Sequence, residues 1–131
     1  LVPRWSRLAD PRCPRARPDA ERADIADQLD ATIAEQDTAL DGADLHAYTH
    51  LDARFHQIIM DGGANTLLAG LGHQLRERQQ RFTATAIGRN VARARTFVDQ
   101  HRTLADALRT GDLDAYLSAL DTHLTNSRNQ L

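Results

Sequence analysis

The chain has 131 residues, 41% hydrophobic and 26% charged, enough for one soluble-type domain with a single core. It holds no run of about 18 apolar residues and no apolar signal region, which argues against a membrane span and against secretion. A formal net charge of −2 makes the chain by itself a poor candidate for gripping nucleic acid, and its single cysteine, Cys13, pairs with no other, as expected in a reducing cytoplasm.

The opening "LVPRWS" resembles a protease-cleavage tag, except that Trp5 stands where such a tag has glycine. "LADPRCPRARPDA" carries three of the four prolines and reads as broken or frayed structure, with at most a short irregular helix near residues 4–13. Residues 1–19 are therefore set apart from a helical domain over 20–131. From Asp24 onward, segments rich in Ala, Leu, Arg, Glu and Gln alternate with turn signals at "LDGAD", "DGGAN", "IGRN" and "RTGD". The spacing predicts helices over about 20–40, 43–60, 64–87, 91–109 and 112–129, and no segment alternates as a strand would. Asn65 and Asp112 stand where helix caps belong. The expected fold is all-α: an antiparallel bundle of about six helices around a central metal or ligand pocket.

Several polar residues fall on faces that belong in a core. In "THLDARFHQIIM", Leu45, Tyr48, Phe55 and Ile59 form one apolar stripe at about 100° per residue, and Asp52 and His56 border it on the inward side. His46 and His50 point away and are expected in solvent. In "FVDQHRTLADAL", His101 sits amid Phe97, Val98, Leu104, Ala105 and Leu108. In "DLDAYLSALDTHLTNS", His123 edges the set Leu113, Tyr116, Leu117, Leu120 and Leu124. Asp52 and His56, one turn apart, could satisfy each other by a hydrogen bond or ion pair, or share a cation. Three inward histidines on three helices with one aspartate favour the cation, since each would otherwise need a private partner. Such donors suit zinc first, then nickel, manganese or iron, rather than calcium or magnesium. In "NTLLAGLGHQLRERQQRF", Leu67, Leu68, Leu71, Leu75 and Phe82 form the apolar stripe with Arg78 inside it, while His73, Arg76 and Glu77 face outward. An inward Arg78 would meet the carboxylate of a bound effector, or else run its stem over the core to water.

"LDARFHQIIMDGGANTLLAGL" followed by "VDQHRTLADALRTGDLDAYLSALDTHL" resembles the FCD domain, the effector-binding C-terminal domain of FadR-type regulators in the GntR family. The family's D-x-x-F-H, its small-residue turn ending in Asn, its later His, its Gly-Asp turn and its final His map to Asp52, Phe55 and His56, then Gly63 and Asn65, then His101, Gly111-Asp112 and His123. The resemblance implies a helical bundle enclosing a metal held by Asp52, His56, His101 and His123, with a small organic acid bound beside it. It also implies a cytoplasmic homodimer whose contact with DNA runs through an attached winged helix-turn-helix domain. That domain is not in this chain, which is expected to be a fragment or a truncated relative, and "RWSRLADPRCPRAR" matches the family's first helix only loosely. Two other functions fit the same residues: a metal-dependent enzyme, or a purely structural metal in a dimerisation module. No inward acid or base beyond the ligands is legible, so the expectation is a sensor and not an enzyme.

Overall fold

The computed structural model describes residues 16–63 and 66–129, and among these the regular structure is helical throughout. Six helices follow one another: α1 (Ala16–Asp41), α2 (Leu45–Asp61), α3 (Thr66–Gln74), α4 (Arg76–Ile87), α5 (Val91–Thr110) and α6 (Leu113–Asn129). The readings on residues 1–15, Cys13 among them, and on Asn65 lie outside the described residues. α1 begins earlier than expected because Pro18 falls in its first turn, where a missing N–H forfeits no helical hydrogen bond.

Side-chain caps mark most of the remaining boundaries. Asp44 accepts from the Ala47 amide, Asn90 from Arg93 and Asp112 from Ala115, satisfying amides that open α2, α5 and α6. α5 ends at Gly111, which is left-handed at φ 75° and donates to the carbonyls of Ala107 and Leu108. A Cβ there would also stand 2.8 Å from the Arg22 guanidinium carbon, so the turn calls for glycine twice over.

The one long helix expected over 64–87 is two. α3 carries Gly70 and Gly72, poor helix formers, and the chain breaks at Leu75 before α4 starts. Gly72 is set by packing: a Cβ there would lie 2.7 Å from the Gln57 side chain and 2.8 Å from Met60 of α2. The break voids the continuous stripe assumed across this stretch. Leu67, Leu71, Leu75 and Phe82 are exposed, and α4 instead buries Thr83, Ala86 and Ile87. Leu117 and Leu124 of α6, also expected inside, are 40% and 49% exposed, whereas Tyr116 and Leu120 are buried.

Helix direction follows from paired residues. Along α1 and α5, Asp41 meets Arg95, Asp37 meets Arg102, and Asp27 with Asp30 meets Arg109. Numbers fall on one helix as they rise on the other, so the pair is antiparallel. α1 and α2 are likewise antiparallel, with Glu35 opposite Arg54 and Ile25 against Gly62. α1 packs on α2, α2 on α4, α4 on α6, α6 on α5, and α5 back on α1, closing a ring. Leu29, Ile33, Tyr48, Phe55, Val98, Leu104, Leu108 and Tyr116 fill its interior. The polar groups that matter stand inside the same ring.

Candidate metal and effector site

α2 supplies two residues to the centre of the ring because Asp52 and His56 are one turn apart on its buried face. α5 brings His101 and α6 brings His123, and all four side chains are buried. Their donor atoms converge. Asp52 Oδ1 lies 3.3 Å from His101 Nε2 and 3.6 Å from His56 Nε2, and His56 Nε2 lies 3.2 Å from His123 Nε2. Donor atoms of the three histidines all fall within 4.8 Å of one another.

Three of the four donors are aimed by a neighbour. Thr83 Oγ1 of α4 donates to Asp52 Oδ2 at 2.7 Å, leaving Oδ1 to face the histidines. His101 Nδ1 lies 2.9 Å from Gln36 Oε1 of α1, and His123 Nδ1 lies 2.7 Å from Gln100 Oε1 of α5. An amide oxygen only accepts, so each Nδ1 carries its proton and each Nε2 turns a lone pair to the centre. Phe55 stacks on His101 with centroids 4.0 Å apart, and Phe97 meets the His123 ring edge to face. These partners escaped the sequence reading, although Gln36 did leave a signal. It continues the buried row Leu29, Ile33 and Leu40 at helical spacing, a polar residue on an apolar face. Thr83 gave none, because the false stripe through Leu75 put the wrong face of α4 inside.

The electrostatics are those of an anion beside two imidazoles that burial keeps uncharged. Burial pushes His101 down and drives His123 down to about 3. Burial also opposes ionisation of Asp52, but the positive charge available on His56 and the nearby His101 hold its carboxyl well below the usual carboxylate range. Without a cation the arrangement is costly. His101 Nε2 is fully buried with no hydrogen-bond partner, its 3.3 Å approach to Asp52 Oδ1 lacking the alignment of one.

The donor set fits a transition-metal ion. Two donors each about 2.1 Å from one ion stand about 3.0–3.4 Å apart, near the spacings found here, and the outward-facing hydrogen bonds match what ligating histidines carry. Asp52, His56, His101 and His123 could therefore hold a metal ion. A cavity of about 340 Å³ opens beside them, walled by Met60, Leu68, Phe82, Phe97 and Leu124, with Gln79, Thr83 and Ser127 as its other polar groups. Arg78 does not enter it. Contrary to the inward orientation expected, Arg78 is exposed and lines an adjoining groove that shares Met60, Leu68, Gln79 and Phe82 with the cavity.

The FCD family model matches residues 13–126. The chain belongs to the FCD family. FCD domains are regulatory ligand-binding domains, the effector-binding part of GntR-type transcriptional regulators, and the His and Asp cluster is compatible with that role. No curated protein and no solved structure matches the chain. Among the described residues of this FCD domain no helix is long and apolar enough to cross a membrane.

Proposed function

We propose that this FCD domain senses a small carboxylic acid bound next to a divalent metal ion held by Asp52, His56, His101 and His123. The observation that carries the reading is the buried, unpartnered Nε2 of His101, aimed with two other imidazoles and one carboxylate at a common centre beside an open cavity. Zinc is the first expectation for such a set, with nickel, manganese and iron next. Bound there, the ion supplies a Lewis-acidic position for a carboxylate oxygen.

The chain's own residues do the rest. Gln36 and Gln100 hold the His101 and His123 rings in the tautomer that presents Nε2, and Thr83 holds the Asp52 carboxylate turned inward. Gln79 and Ser127, the latter's hydroxyl also donating to the His123 carbonyl, are polar groups on the cavity wall that would meet the effector's polar end. The apolar wall excludes water around its carbon skeleton and limits its size. Arg78 contributes from the adjoining groove, by attraction of an anion toward the cavity mouth.

Sensing is preferred to turnover because Asp52, His56 and His123 are the ionisable groups lining the cavity, and all three are committed to the ion. The output is transmitted through a winged helix-turn-helix domain joined to this one in a homodimeric cytoplasmic regulator. Elemental analysis of the purified protein, paired with a thermal-shift screen of small mono- and dicarboxylates, tests the reading. About one divalent ion per chain and stabilisation by one class of acid are expected. Absence of metal after reloading with zinc, nickel and manganese would return the four residues to a buried hydrogen-bond network.

A further inference from the structure

A second pair of imidazoles stands on the outer face of α2. His46 and His50, one turn apart and both exposed, bring their Nε2 atoms within 3.2 Å of each other. Their rings meet edge to face, with centroids 4.6 Å apart. They line a groove between α2 and α4 together with Thr49, Glu77, Gln80 and Arg81.

Two facing imidazole nitrogens form one hydrogen bond only if one presents N–H and the other a lone pair, and two protonated rings repel. A cation that accepts both lone pairs satisfies them together, and i, i+4 is the helical spacing at which one helix offers two histidines to one ion. Imidazole favours copper, nickel and zinc over calcium or magnesium. The groove also supplies negative charge. Glu77 reaches it from α4, its side chain 88% exposed and no closer than 4.0 Å to Arg81, a cation that lines the same groove. Such a carboxylate is little constrained and can turn to a cation.

We propose that His46 and His50 form a second site for a divalent transition-metal ion, on the surface of the domain, with Glu77 as the acidic wall facing it. The site uses none of the buried donors, so it stands or falls independently of the ion proposed inside the bundle. With two histidine ligands in open solvent it binds more weakly than a buried four-donor set, and it leaves positions on the ion for water or another ligand.

The test titrates the metal-stripped full chain with Cu²⁺ and with Ni²⁺ by calorimetry, and records electron paramagnetic resonance of the Cu²⁺-loaded protein. The wild type is expected to take up an equivalent that the double variant H46Q/H50Q loses and that each single variant weakens. H123A should keep that equivalent, although it disturbs the buried set, and H73Q, which removes a different exposed histidine, should change nothing. The Cu²⁺ spectrum of H123A should show coupling to two nitrogens, lost in a triple variant that adds H46Q and H50Q. Unaltered stoichiometry in H46Q/H50Q, or an equal loss in H73Q, would overturn the site. Metal-free unfolding curves of H46Q/H50Q and the wild type should coincide, since both side chains lie in solvent, which separates a lost site from a lost fold.

Discussion

Gln36 and Gln100 touch neither the ion nor the effector in the proposed arrangement, yet each decides which nitrogen of a histidine faces the centre. Replacing Gln100 with Leu keeps the bulk and removes the acceptor for His123 Nδ1. Loss of such a partner costs about 10–100-fold in metal affinity. Competition against a chelator is expected to show that range for Gln100→Leu, and an unchanged affinity would mean that His123 is held by packing alone. The harsher change His101→Ala should abolish metal retention and acid-induced stabilisation together.

The buried imidazoles also set a pH dependence for the metal-free protein. Unfolded histidine titrates near about 6.5, while in the folded chain His123 is pushed down to about 3 and His101 is also lowered. Between those values the unfolded chain binds protons that the folded chain refuses. Stability is thus full above about pH 6.5 and falls as pH drops toward the folded values, by up to about 1.4 kcal/mol per pH unit for each histidine. Asp52, lowered by its neighbours, adds a loss in the same direction below about pH 4. Urea midpoints measured with chelator present should be lower at pH 5 than at pH 7. A flat response would show that the histidines stay paired and charged.

At the scale of elements, the termini were legible because capping is local chemistry. Asp112 caps α6 as its position in the sequence announces, and Asp44 and Asn90, inside the turn signals "LDGAD" and "IGRN", cap α2 and α5 by the same chemistry. Gly111 closes α5 in the left-handed region with Arg22 packed over it, so Gly111→Ala should destabilise by about 1–2 kcal/mol, read as a lower urea midpoint. A wild-type midpoint would mean that the turn and Arg22 relax at no cost. The break at Leu75 was not legible. Nothing in "HQLRER" stops a helix, and the close seat of Gly72 against Gln57 and Met60, just before the break, is a contact between distant segments. Arg78, placed inward on the assumption of an unbroken helix, lies outside.

For the whole molecule, the ring of five helices makes the centre a shared property. α1, α2, α4, α5 and α6 each contribute a polar group to it, so removing an ion bound there should loosen the entire bundle and not one loop. Stripping the metal is expected to lower the melting temperature in a single cooperative step. With free ion at about 1,000 times its dissociation constant, the stabilisation restored on reloading is about 4 kcal/mol. A separate early transition would place the ion at the periphery.

From the sequence alone came the helical class, the positions of most turns, and the inward faces of Asp52, His56, His101 and His123. Each of these follows from local propensity or from periodicity along one helix. Only the tertiary structure decided that the four converge within a few ångströms, that Gln36, Gln100 and Thr83 aim them, and that the cavity beside them excludes Arg78. Periodicity tells which face of a helix is buried; which neighbour it meets, and at what height along the axis, depends on packing between segments far apart in the chain.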